Sequence, residues 1–114
     1  MYIILQEVKN MGKIIAFANQ KGGVAKTTST YNVGVSLAKK GKRVLLIDLD
    51  SQASLTISAG LEPFEYEKTI VTVLKKEGTP IAKCIQTLQE NLDICTSRLE
   101  LAQLEMEMIG RSMR

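Results

Sequence analysis

A short apolar run, Lys13-Ile-Ile-Ala-Phe-Ala18, is followed by a glycine break at Gly22 and Gly23 and then by a stretch with helical spacing. A second apolar run, Val44-Leu-Leu-Ile-Asp48, comes directly after it. An apolar run of this length bounded by polar turn residues suits a strand buried on both faces, as in a parallel sheet. Between Lys26 and Lys40, Tyr31, Gly34, Val35 and Ala38 fall on one helical face, and their small size suits close packing on a sheet. Lys39 and Lys40 place cations in the last turn, with Gly41 as the stop. Strand, glycine loop, helix and strand make a βαβ unit, whose strands should be parallel and whose crossover should be right-handed.

The remaining pattern is weaker. The spacing predicts a loop over 51–60 with a short helix around Leu55, and another short helix at Ile70, Val73 and Leu74 that stops at Gly78. Ile81, Cys84, Ile85 and Leu88 have helical spacing, although a short strand near Ile85 is an alternative. A third strand is expected over Leu92–Thr96 and a last helix over Arg98–Met113. That helix carries Leu99, Leu101, Ala102, Leu104, Met106, Met108 and Ile109 on more than one face, so it should be buried.

Composition narrows the chemistry. The 114 residues make one compact domain, 45% apolar and 24% charged, with no apolar run long enough for a membrane helix. The first residues are too short an apolar stretch for a signal peptide. Two cysteines and no histidine exclude a disulfide framework and a Cys/His zinc set. Cys84 and Cys95 read as small buried hydrophobes. A net charge of +3 and the absence of tryptophan give no nucleic-acid footprint on charge or stacking grounds. Lys39, Lys40, Lys42 and Arg43 read as a solvated helix end.

The segment Gln20-Lys-Gly-Gly-Val-Ala-Lys-Thr-Thr28 lies where a strand passes into a helix, which is the place for a phosphate-binding loop. Glycines let backbone N–H groups converge on phosphate oxygens, Lys26 can reach the outer phosphates, and the Thr27 hydroxyl can ligate Mg²⁺. The bland alternative is a glycine turn opening a structural helix. The ordinary G-x-x-x-x-G-K-[ST] pattern is not met, because Gln20 and Ala25 stand at its glycine positions. Ala25 would weaken nucleotide binding if its position needs a positive φ.

With Lys21 ahead of the two glycines, the loop resembles the deviant-Walker-A ATPases of the ParA/MinD group, whose loop reads K-G-G-x-x-K-[ST]. The resemblance implies that Gly22, Gly23, Val24, Ala25, Lys26, Thr27 and Thr28 bind ATP. It gives Lys26 the role of the cis lysine and Lys21 a role in trans, across a dimer interface. Val44-Leu-Leu-Ile-Asp-Leu-Asp-Ser-Gln52 resembles the D-x-D-x-Q switch segment of the ParA (Soj-like) branch. It implies Asp50 on the attacking water, Asp48 near Mg²⁺ through a water, and Gln52 ordering the switch. Thr27 and Asp48 are thus the metal candidates, and Lys21, Lys26 and Asp50 the catalytic ones. Without the resemblance, Asp48 and Asp50 could simply cap the turn after their strand.

The likeness runs from about Met11 onward, leaving residues 1–10 as an extension with no assigned role and 11–114 as a partial P-loop ATPase domain. The implied fold is α/β, a P-loop-type parallel sheet with flanking helices, present as the N-terminal half. Family members continue into a Walker B strand and a DNA-binding surface. The implied function is that of the ATP-binding portion of a chromosome- or plasmid-partitioning ATPase, cytoplasmic, with ATP and Mg²⁺ as cofactors. Its partners would be a second copy, a ParB-type protein and non-specific DNA, with no membrane. The alternative is a truncated, catalytically inactive nucleotide-binding or interaction fragment. Unpartnered faces of the sheet and the last helix predict self-association or strand exchange. A MinD-type membrane ATPase would need a C-terminal amphipathic helix that this sequence lacks. Neither cysteine matches the cluster ligands of the related nitrogenase iron protein.

Overall fold

Residues 2–8, part of the segment 1–10 that the likeness leaves as an extension, form an interior strand of the sheet. The computed structural model describes residues 1–8, 11–18, 24–75 and 78–112. In chain order the elements are β1 (Tyr2–Val8), β2 (Met11–Phe17), α1 (Val24–Lys39), β3 (Val44–Asp48), α2 (Ser54–Ser58), α3 (Ile70–Leu74), β4 (Ile85–Gln89), β5 (Leu92–Cys95) and α4 (Glu100–Ser112). Single 3-10 turns lie at Pro63–Glu65 and Ile81–Cys84. The sheet order is β2-β1-β3-β5-β4.

β1 pairs antiparallel on both edges, with β2 on one side and β3 on the other. β3 and β5 are parallel, and β4 closes the far edge antiparallel to β5. The class is α/β with helices flanking the sheet, as expected. Two details of the expected parallel sheet are corrected. The sheet is mixed, and the two strands of the βαβ unit, although parallel to each other, are separated by β1. Because β1 takes the inner position, β2 becomes an edge strand and is not buried on both faces: Ile14 is 72% exposed and Ile15 36%. The helical reading of 81–88 gives way to its strand alternative, since the segment forms one 3-10 turn and then β4, whose residues find partners on β5.

Alternation along the strands assigns the two faces. Tyr2 and Ile4, Val44 and Leu46, and Leu92 and Ile94 share one face and pack with Ala38 of α1 and Leu55 of α2. Gly34 brings α1 onto this face so closely that a Cβ there would stand 2.7 Å from Leu46 Cδ2. The other face buries Ile47 and Cys95 against Ile70, Val71, Leu101 and Leu104. Helices cover this second face only in part. A groove of about 830 Å³, lined in part by Leu5, Ile14 and Leu45, opens at the end of the sheet away from Asp48. α4 begins two residues later than expected and is only half used for packing. Leu101 and Leu104 are buried, whereas Met106, Met108 and Ile109 are exposed.

Candidate functional site

The carboxyl end of β3 and the start of α1 meet beside the first residue of β1. Lys21, Gly22 and Gly23 lie outside the described residues. Val24 and Ala25 form the first residues of α1, so Ala25 has a helical backbone and carries no left-handed strain. Lys26 and Thr27 follow in the first turn, with Lys26 half-buried, Thr27 buried and Thr28 exposed. Thr30 fastens this turn by donating its hydroxyl to the Lys26 carbonyl at 2.8 Å.

Tyr2 draws three of the expected residues together. Its phenol lies 2.8 Å from Thr27 Oγ1 and donates to Asp50 Oδ2 at 3.2 Å. The Lys26 ammonium stands over its ring, 5.0 Å from the centroid, within the range of a cation–π contact. The single phenolic proton goes to a carboxylate, so the Thr27 hydroxyl spends its own proton on Tyr2. Both lone pairs of Thr27 Oγ1 are then free of donors among the described residues, which is the state a hard cation needs in an oxygen ligand. Thr27 Oγ1 thus has the chemistry of a single Mg²⁺ ligand, and among the described residues no cluster of three or more histidine, cysteine or acidic side chains surrounds it.

Asp48 is placed differently from Asp50. It is fully buried, and three donors from its own chain hold it. Oδ1 accepts from Asp50 N at 3.0 Å. Oδ2 accepts from Thr56 N at 2.9 Å and Thr56 Oγ1 at 2.7 Å. Thr56 Oγ1 in turn accepts from Ser97 N at 3.2 Å, tying the ends of β3 and β5 to α2. Burial pushes the Asp48 carboxyl above its ordinary value, against the hydrogen bonds from Thr56 and Asp50 that lower it. Asp50 Oδ1 accepts from Gln52 N at 3.0 Å, so Gln52 meets this loop through its backbone. The loop also holds Ala53 at φ 55, a left-handed conformation that costs a non-glycine residue about 1–2 kcal/mol.

Tyr2, Thr56 and Ser97 were not among the residues expected here. A hairpin signal was present in Tyr2-Ile-Ile-Leu-Gln-Glu-Val8, a β-rich run followed by polar residues and a second apolar run. Thr56 and Ser97 carry no local signal, because both partnerships depend on where distant strands end.

A family model described as an AAA domain matches residues 12–114. The sporulation initiation inhibitor protein Soj of Bacillus subtilis is 43% identical over 99 residues, covering 87% of this chain and 39% of Soj. Among solved structures, cobyrinic acid a,c-diamide synthase from Mycobacterium smegmatis, with bound ATP analog and magnesium, has a TM-score of 0.74 at 36% identity. That match covers 81% of this chain and 37% of the synthase. A plasmid partition protein from Borrelia burgdorferi has a TM-score of 0.65 at 32% identity, over 79% of this chain and 41% of that one. The chain thus spans about two fifths of the length of these proteins.

Proposed function

The chain belongs to the ParA/MinD group of P-loop ATPases within the AAA-domain family, and from that premise we propose that it is the ATP-binding portion of a Soj-like partitioning ATPase. The observation that supports this reading is the meeting of Lys26, Thr27 and Asp50 around Tyr2, with residue types and placement suited to phosphate, metal and water. The M. smegmatis structure with an ATP analog and magnesium supports ATP and Mg²⁺ as the ligands.

Transfer of a γ-phosphoryl group asks the protein for positioning and charge neutralisation more than for covalent chemistry. Lys26 supplies a cation next to the helix start, where backbone N–H groups also favour an anion. Thr27 would hold Mg²⁺, which when bound spreads the charge of the phosphate oxygens. Asp50 would orient the attacking water, and Asp48 would order the loop that carries Asp50. Lys21 would reach the nucleotide of a second copy, so self-association belongs to this reading, as do a ParB-type partner and non-specific DNA. No helix of the described residues is long and apolar enough to cross a membrane, and a cytoplasmic, membrane-free protein is part of the same reading.

A second reading, a nucleotide-binding fragment without turnover, is favoured by the full engagement of Asp48 within the chain. Mg²⁺-dependent hydrolysis that vanishes in Lys26→Ala would decide for the first reading. The direct test is equilibrium binding of a fluorescent ATP analogue to the wild type and to Lys26→Ala. Saturable binding by the wild type, weakened by about tenfold or more in Lys26→Ala, is the expected result, since a charge-assisted contact from a half-buried lysine is lost. Equal binding by the two proteins would overturn both readings.

A further inference from the structure

We propose that Tyr2 is a positioning residue of this site, carrying the hydrogen-bond link from the Thr27 hydroxyl to the Asp50 carboxylate. The proposal rests on the nucleotide-binding reading above and extends it to a residue outside the matched segment 12–114. Three observations carry it. Tyr2 is 1% exposed, and its backbone is paired on both sides, opposite Phe17 and opposite Asp48. Leu49 N also donates to the Met1 carbonyl at 3.0 Å, locking the start of β1 to the loop that carries Asp50. The phenol is therefore enclosed, and its oxygen lies between two residues of the site.

The link has a direction. With its one proton given to Asp50, Tyr2 can only accept from Thr27, so the Thr27 hydroxyl is the donor of that pair. A metal ion on Thr27 Oγ1 would make that hydroxyl a better donor and tighten the link. Groups that orient a metal ligand in this manner tune metal affinity without touching the metal. Removing the phenol oxygen frees the Thr27 proton to turn toward the metal position and frees Asp50 to swing. Nucleotide binding that does not require metal uses the loop and Lys26, and it should be unaffected.

The experiment compares wild type and Tyr2→Phe for binding of a fluorescent ATP analogue with and without Mg²⁺, alongside their thermal unfolding. Tyr2→Phe should weaken Mg²⁺-dependent binding by about tenfold, the lower end for loss of a group that orients a metal ligand. Its metal-free affinity should stay at the wild-type value. A merely structural role would lower both affinities together. Asp50→Ala, and the pair combined with Tyr2→Phe, supply a second readout: if the two residues act through one link, the double variant loses no more than the worse single one. Tighter or unchanged Mg²⁺-dependent binding in Tyr2→Phe overturns the proposal, as do additive losses in the double variant. A wild type whose Lys26-sensitive binding ignores Mg²⁺ overturns the proposal alone. Absence of any Lys26-sensitive binding overturns the nucleotide-binding reading beneath it as well.

Discussion

β2 and β3 are both short apolar strands that lead toward residues of the site, yet Leu46 of β3 is fully buried and Ile14 of β2 is 72% exposed. β3 has β1 on one side, β5 on the other and α1 with α2 across one face. β2 has a single neighbour and lies at the rim of a groove that, among the described residues, no helix lines. Apolar content is therefore not what decides burial here. Position in the sheet decides it, and β1 sets that position by taking the inner place. The expected order of sensitivity follows from the same contrast: residues around β3 should respond to small changes, and residues of β2 should tolerate large ones.

The largest effect is expected at Leu46. Leu46→Ala should lower the unfolding free energy by about 3 kcal/mol, because it opens a cavity between the sheet and α1. Ile14→Lys should change it by less than about 0.5 kcal/mol in urea unfolding, since the side chain is already in water. The same variant should reduce self-association in sedimentation experiments if the β2 edge pairs copies of the chain. Comparable destabilisation by the two substitutions would break the contrast.

Gly34→Ala comes next. Overpacking against Leu46 costs about 1–3 kcal/mol, and alanine recovers about 1 kcal/mol of helix propensity, leaving a net loss near 1 kcal/mol. Leu46 has no solvent side to which it could move. A Gly34→Ala protein that melts higher than the wild type would show that this core yields more readily than its burial implies.

The last effect is absent at neutral pH and is confined to alkaline pH. Burial, with lesser contributions from Cys84 and Asp48, pushes the Cys95 thiol up to about 12 from an ordinary 9.0. The folded state thus disfavours the thiolate that the unfolded chain forms readily. The resulting stability is complete below pH 9 and is lost as the pH climbs toward 12. Cys95→Ala should flatten that alkaline decline, and a thiol reagent at pH 8 should modify wild-type Cys95 only upon unfolding. Rapid labelling of Cys95 in the native protein would contradict the closure of this face.

The parts of the fold legible in the sequence are those governed by near neighbours. The helical face of Tyr31, Gly34, Val35 and Ala38, the Gly41 stop and the short β3 run all depend on local spacing. The inner place of β1 does not, since it requires Tyr2 to find Asp48, and no periodicity states which strand lies beside which. The segment after Ile81 was ambiguous for the same reason, because only pairing with β5 selects a strand over a helix. At the site, Lys26, Thr27, Asp48 and Asp50 were legible as residue types in a loop-and-switch pattern. The contact of Tyr2 with Thr27 and that of Ser97 with Thr56 were not, because each joins residues far apart in the chain.

The inner place of β1 also fixes an order of assembly. β1 and β2 are adjacent in the chain and pair locally, but a lone two-stranded hairpin is marginal in water. Its second edge stays open until β3 has been made, and β3 in turn waits for β5. Such long-range closures slow folding relative to a sheet laid down in chain order. During that interval the strand destined for the interior of the sheet is itself an exposed edge, carrying Tyr2, Ile3, Ile4 and Leu5 toward whatever strand arrives first.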